Sequence, residues 1–171
     1  MKGDILIIDD NHRMAGRETF NLFHKEIPEK GRYFITVAGE SGAGKSEIAQ
    51  SIADILNQLG IPAFIFQQDD YFVLPPKSNA NKRKENISWV GSSEVKLQLL
   101  NEQIEDLRAG INSIEKPLVI FQEDRIDKEI LDAKDYRVFI FEGTYTTLLE
   151  NVDKKIFIDR NINDTRESRK K

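Results

Sequence analysis

Gly39-Glu40-Ser41-Gly42-Ala43-Gly44-Lys45-Ser46 fits the pattern G-x-x-x-x-G-K-[ST] at every fixed position. This segment constrains the fold, because such a loop works only between a strand and a helix. Both flanks are present. Tyr33-Phe34-Ile35-Thr36-Val37-Ala38 is a short apolar run suited to a buried parallel strand. Beyond the loop, Ile48, Ala49, Ile52, Ala53, Ile55, Leu56 and Leu59 recur at helical spacing, and Gly60 with Pro62 supplies the stop. The glycines let successive backbone N–H groups turn toward one anion. Lys45 adds a movable positive charge for phosphates. Ser46 offers a hydroxyl to Mg²⁺, at a helix N-terminus whose dipole favours anions. Residues 39–46 therefore read as a cradle for a nucleoside triphosphate.

The 171 residues allow one domain, or one domain with an appendage, and are enough to bury a core. A composition 39 % hydrophobic and 32 % charged is that of a soluble globular chain. No run approaches the roughly 18 apolar residues of a membrane span, and the N-terminus lacks a signal-peptide core. The absence of cysteine excludes disulfides and cysteine-ligated zinc, and a cytoplasmic location is the default expectation. A net charge of −4 argues against a broad nucleic-acid surface. Basic residues cluster at Lys82-Arg83-Lys84, which reads as a solvated loop, and from Arg166 to Lys171.

Strands and helices alternate, as in an α/β protein. Further strand candidates are Ala63 to Gln67, Leu118 to Phe121, Val138 to Phe141 and Lys155 to Ile158. Val95, Leu99, Leu100, Ile104 and Leu107 mark an amphipathic helix that Ser92 or Ser93 could cap and Gly110 could end. Residues 1–30 form an appendage to the domain at 31–171. In it, Ile5-Leu6-Ile7-Ile8 reads as a strand before the paired Asp9-Asp10, and Met14 to Phe23 as a short helix. His12 and His24 lack metal-ligand spacing and read as ordinary surface histidines.

Two strands deliver carboxylates to the edge where an open parallel sheet places its working groups. Asp69-Asp70 follows one, and Glu142 ends the apolar run Val138-Phe139-Ile140-Phe141. Ser46 and Glu142 suit Mg²⁺, a hard cation that takes oxygen ligands, with Asp69 a further candidate. Side chains alternate on an extended chain, so one of Asp69 and Asp70 faces the phosphates and the other serves the turn. The facing carboxylate could accept a proton from a hydroxyl acceptor. Tyr71 and Phe72 supply an aromatic wall or core packing.

Together these segments resemble the uridine kinase and phosphoribulokinase group of P-loop kinases. The likeness rests on Gly39 to Ser46, on Gln68-Asp69-Asp70-Tyr71-Phe72 and on Phe141-Glu142-Gly143. It continues through Lys155-Ile156-Phe157-Ile158-Asp159 and Asn163-Asp164-Thr165-Arg166-Glu167-Ser168-Arg169. It implies a three-layer α/β/α fold with a largely parallel sheet, and an ATP- and Mg²⁺-dependent transfer of the γ-phosphoryl group to a hydroxyl of a small molecule. By this resemblance Asp69, rather than Asp70, takes the place of the catalytic base, Lys45 attends the phosphates, and Arg166 and Arg169 are lid charges.

The acceptor side departs from the family. Asn86-Ile87-Ser88-Trp89-Val90 stands where uridine kinases carry Asn-x-Asp-His-Pro, so Ser88 replaces the carboxylate that holds the ribose. Phe72 replaces a tyrosine, and of the base-contacting segment Pro117, Phe121 and Arg125 persist. Phe72, Ser88 and Arg125 are thus the acceptor-side candidates. A pocket that bonds uridine discriminates through such polar groups, and their loss weighs against uridine itself. The family continues beyond its lid helix, whereas this sequence stops at Lys171. Either the chain is a fragment or the sheet is completed differently, for instance by Ile5 to Ile8 along its edge. A nucleotide-binding regulatory module without acceptor chemistry is the alternative in another class.

Overall fold

The computed structural model describes residues 6–160. These divide into two compact units, 6–66 with 135–160, and 67–134. In chain order the elements are α1 (Asp10–Phe23), β1 (Tyr33–Gly39), α2 (Lys45–Gln58), β2 (Ala63–Gln67), α3 (Pro76–Glu85), α4 (Leu97–Arg108), β3 (Ser113–Ile120), β4 (Arg125–Asp132), β5 (Val138–Glu142) and β6 (Lys154–Ile158). No helix among the described residues is long and apolar enough to cross a membrane.

The first unit is built on a four-stranded sheet in the order β2-β5-β1-β6. β1 runs parallel to both neighbours, with Val37 opposite Glu142 on one side and Gly39 opposite Ile158 on the other. Every residue of β1 and β5 is buried, which is why both read as unbroken apolar runs rather than alternating ones. The chain leaves β1 toward β2 on one side and later returns to β6 on the other. The carboxyl end of β1 is therefore a topological switch point, where open sheets of this kind keep their ligand crevice.

α2 packs Ile48, Ala49, Ile52, Ala53 and Leu56 onto Ile35, Val37 and Ile140. Leu59, which continues the apolar spacing, lies past the helix end and is 60 % exposed. Gly60, at φ +73°, takes the left-handed conformation that closes the helix. α1 lies against α2 and buries Gly16, Phe20 and Phe23 at i, i+4 and i+7. It starts four residues before the expected Met14, because Asp9 caps it. For the same reason no strand forms over Leu6 to Ile8, and the expected edge strand is absent there. Ile5 lies outside the described residues.

The second unit carries a two-stranded antiparallel ribbon, β3 with β4. The expected strand Leu118 to Phe121 forms the end of β3 in this ribbon as far as Ile120, with Phe121 in the turn that follows. The loop between the strands, Phe121–Glu123 followed by Asp124, turns the chain with Asp124 at φ +49°, a conformation aspartate tolerates. Asp124 then accepts from the Lys77 N–H at 2.6 Å and the Ser78 hydroxyl at 2.9 Å. It thereby caps α3, whose own first residue is Pro76. α4 begins at Leu97 without a serine cap, because Ser92–Glu94 forms a separate 3-10 turn and Val95 bridges to Phe72.

Candidate functional site

The loop from Gly39 to Ser46 sits at the carboxyl end of β1 and opens α2, as its pattern requires. Gly39 must lack a side chain, because a Cβ there would stand 3.0 Å from the Ile158 carbonyl and 3.2 Å from the Ile158 Cβ on β6. Gly44 hands the loop to the helix at φ +90°, where a side chain is strained. The Ala43 N–H is turned inward onto the Glu40 carbonyl at 3.1 Å. Among the described residues, the N–H groups of Gly42, Gly44, Lys45 and Ser46 meet no protein acceptor. Free donors converging on a helix N-terminus are what an anion takes. The Lys45 ammonium rests on the Glu40 carbonyl at 3.0 Å, within the loop it would serve.

Glu142 is the last residue of β5 and is 4 % exposed. Its pairing opposite Val37 brings this carboxylate to the same sheet edge, two residues before the loop begins on the neighbouring strand. Ser46 and Glu142 thus offer two oxygen donors from adjoining elements of one unit, which fits a hard divalent cation that keeps other sites for phosphate and water.

A third group reaches this loop from α1. His12 is the third residue of that helix, and it shares a capping box with Asp9. The His12 N–H donates to Asp9 Oδ1 at 3.0 Å, and the imidazole Nδ1 lies 3.3 Å from the Asp9 N–H. The far side of the ring meets the loop, since a Cβ built on Gly44 would stand 3.1 Å from His12 Nε2 and 3.2 Å from Cδ2. His12 is therefore no ordinary surface residue. The one sequence signal was the Asp9-x-x-His12 spacing ahead of a helix. His24 is likewise packed, stacked on Phe20 with centroids 5.1 Å apart and its Nδ1 buried.

In the second unit, Asp69 and Asp70 lie together in a 3-10 turn after β2 and have opposite environments. Asp70 is 2 % exposed. Its carboxylate accepts the Val119 N–H at 2.9 Å and stands 3.4 Å from the buried Lys116 ammonium. Lys116 is completed by Glu129 at 2.6 Å and the Pro117 carbonyl at 3.0 Å. Asp70 thus ties the turn to the ribbon, while Asp69 is exposed. Tyr71 is fully buried, its hydroxyl donating to Gln103 at 2.6 Å. Burial, with the Asp70 and Glu129 charges, pushes its phenol well above the usual range.

Lys82-Arg83-Lys84 forms the last turn of α3 rather than a loop. Arg83 makes two 2.7 Å bonds to Glu94 and lies over the Phe72 ring, 5.4 Å from its centroid. Asn79 joins Glu94 at 3.1 Å and accepts the Trp89 indole N–H at 2.8 Å. Phe72 is thereby part of a packed cluster. Ser88 is exposed, its hydroxyl bonded to the Asn86 side chain at 2.6 Å. Arg125 pairs with Glu123 and Asp127, and lines a cavity of about 650 Å³ with Lys96, Pro117 and Asp124. Neither Phe72 nor Ser88 lines that cavity. Arg166 and Arg169 lie outside the described residues.

The sequence model of the Phosphoribulokinase / Uridine kinase family matches residues 34–169. Over 129 residues the chain is 29 % identical to a uridine kinase of Clostridium novyi (strain NT), covering 75 % of this chain and 59 % of that protein. Over 152 residues it is 24 % identical to a bifunctional alpha-galactosidase/sucrose kinase of Mediterraneibacter gnavus, covering 82 % of this chain and 16 % of that protein. The chain thus spans less than two thirds of the length of either relative. A solved structure of a possible uridine kinase from Bacillus stearothermophilus superposes with a TM-score of 0.74 at 18 % identity, over 94 % of this chain and 90 % of that one. That likeness concerns the fold, the α/β fold of P-loop kinases. With the family match running from β1 through the loop, Asp69 and Glu142, the chain belongs to the phosphoribulokinase/uridine kinase family.

Proposed function

We propose that this protein transfers the γ-phosphoryl group of ATP to a hydroxyl of a small, sugar-bearing metabolite. The observation that carries the reading is the set of loop N–H groups at Gly42, Gly44, Lys45 and Ser46 that meet no acceptor among the described residues, within the stretch that matches a kinase family. The loop and Lys45 hold the β and γ phosphates. Ser46 and Glu142 hold Mg²⁺, which when bound neutralises phosphate charge. Asp69 accepts the acceptor's hydroxyl proton as the oxygen bonds to the γ phosphorus, and the bond from that phosphorus to the bridging oxygen breaks to release ADP. Asp69 is also proposed as a further oxygen donor near the cation. Arg166 and Arg169 are proposed as positive charges for the transferred group.

The employment of Asp70 with Val119 and Lys116 supports Asp69, rather than Asp70, as the base. The relatives' names, uridine kinase and sucrose kinase, have a sugar-bearing acceptor in common. Arg125 is the acceptor-side candidate that lines a cavity, and its 650 Å³ is within the range of small-molecule sites. One observation favours a regulatory, non-catalytic nucleotide module instead. Ser88 supplies no carboxylate and is turned onto Asn86. A panel of nucleosides and sugars assayed for stimulated ADP release separates the two readings. At least one acceptor should stimulate release by the intact protein, and Asp69→Asn should abolish that stimulation while ATP still binds. No stimulation across the panel defeats the kinase reading.

A further inference from the structure

The geometry points to His12 as a nucleotide contact that the N-terminal helix adds to the phosphate loop, donating from Nε2 to an oxygen of the triphosphate. This rests on the proposed reading of the loop as an ATP cradle. It concerns a residue outside the family match, which begins at residue 34. His12 arrives by a route of its own. Asp9 caps α1 and holds the imidazole by its Nδ1 edge, and α1 is pressed onto α2 where Gly16 leaves no room for a Cβ beside Ser51. The opposite edge of the ring then abuts Gly44, the residue whose N–H, with those of Lys45 and Ser46, faces no acceptor among the described residues.

Capping alone does not account for this placement. A glutamate at the same helical position would cap Asp9's N–H as well. It would bring a negative charge toward the phosphates, whereas an imidazole brings a donor. With Nδ1 accepting the Asp9 N–H, the neutral ring carries its proton on Nε2, the loop-facing nitrogen. The ring held in this way offers an N–H toward the anion space. The contact gives α1 a purpose, as part of the donor-nucleotide site.

Titration of the full chain with Mg·ATP, monitored by calorimetry, tests this with the variants His12→Ala, His12→Gln and Lys45→Ala. His12→Ala should weaken ATP binding about tenfold, the change that ~1.4 kcal/mol corresponds to. His12→Gln, whose amide nitrogen reaches the place of Nε2, should stay within about threefold of wild type. His12→Ala that binds ATP as well as wild type, or more tightly, overturns the inference and leaves the function untouched. Equal loss in His12→Gln also overturns it, because the effect then comes from a displaced helix. Wild type that binds no more ATP than Lys45→Ala removes the proposed function and this inference together.

Discussion

Replacing Gly16 with alanine sets two effects of opposite sign against each other. In an exposed helix interior, alanine in place of glycine gains about 1 kcal/mol. At position 16 the new Cβ would stand 2.6 Å from Ser51 Cβ, 3.4 Å from the Ser51 carbonyl carbon and 3.5 Å from the Ile52 nitrogen. Ordinary carbon contacts begin near 3.5 Å, so α1 and α2 must part by about 1 Å. Ser51 cannot swing aside, since its Cβ is fixed to the α2 backbone and its hydroxyl is bonded to the Glu47 carbonyl at 2.8 Å. Overpacking of this kind costs about 1–3 kcal/mol. After the propensity gain, Gly16→Ala should be destabilised by up to about 2 kcal/mol. Urea unfolding should show a lower midpoint at unchanged slope. Asn21→Ala, on the exposed face of the same helix, supplies the control and should gain a few tenths of a kcal/mol. A Gly16→Ala protein about 1 kcal/mol more stable than wild type would refute the reasoning, because the helix propensity would then act alone and the α1–α2 contact would not exist.

The adjacent aspartates should separate stability from chemistry. Asp70→Ala strands the Val119 N–H and takes a buried carboxylate from Lys116, and should cost about 3–5 kcal/mol in urea unfolding. Asp69→Asn, at an exposed position, should stay within about 0.5 kcal/mol of wild type. If the two stability effects are equal, the assignment of roles is wrong. Glu94 makes an acid-side prediction. Burial pushes its carboxyl up, but hydrogen bonds from Arg83 and Asn79 more than reverse this and leave it below its ordinary value. A depressed folded value gives stability that is complete above the ordinary carboxyl range and is lost as pH falls through the folded value. Glu94→Gln should therefore be less stable at pH 7 and lose less than wild type on acidification. Parallel profiles of midpoint against pH in the two proteins would contradict this.

The parts of the fold legible in the sequence are those where one local rule acts alone. β1 and β5 are buried on both faces, so each appears as an apolar run, and Gly39 and Gly44 of the loop sit where a side chain would be crowded or strained. Where tertiary partners decide, local reading fails. β4 is Arg125-Ile126-Asp127-Lys128-Glu129-Ile130-Leu131-Asp132, most of it charged, and carries little strand signal until Glu129 is seen to serve Lys116 and Lys128 to serve Glu115. Leu118 to Phe121 reads as a strand, and all but Phe121 is one, but an apolar run does not specify its partner, here the antiparallel β4. The ribbon's register comes from the turn at Asp124 and from the side chains paired across it.

The same distinction explains the candidate site. Loop chemistry is contiguous in sequence, so residues 39–46 declare the donor side without help. Asp69 and Asp70 are indistinguishable as letters, and only Val119 and Lys116, some 46 to 49 residues away, show that Asp70 is spent on structure. His12 is more hidden still. Its i, i+3 pairing with Asp9 looks like a helix start and nothing more, until α1 is laid on α2 by the missing side chain of Gly16. A glycine that permits close packing in one helix thus fixes where a histidine one turn earlier can reach. That coupling makes a definite demand: Gly16→Ala should lower ATP affinity in the same direction as His12→Ala, whereas Asn21→Ala should leave it unchanged.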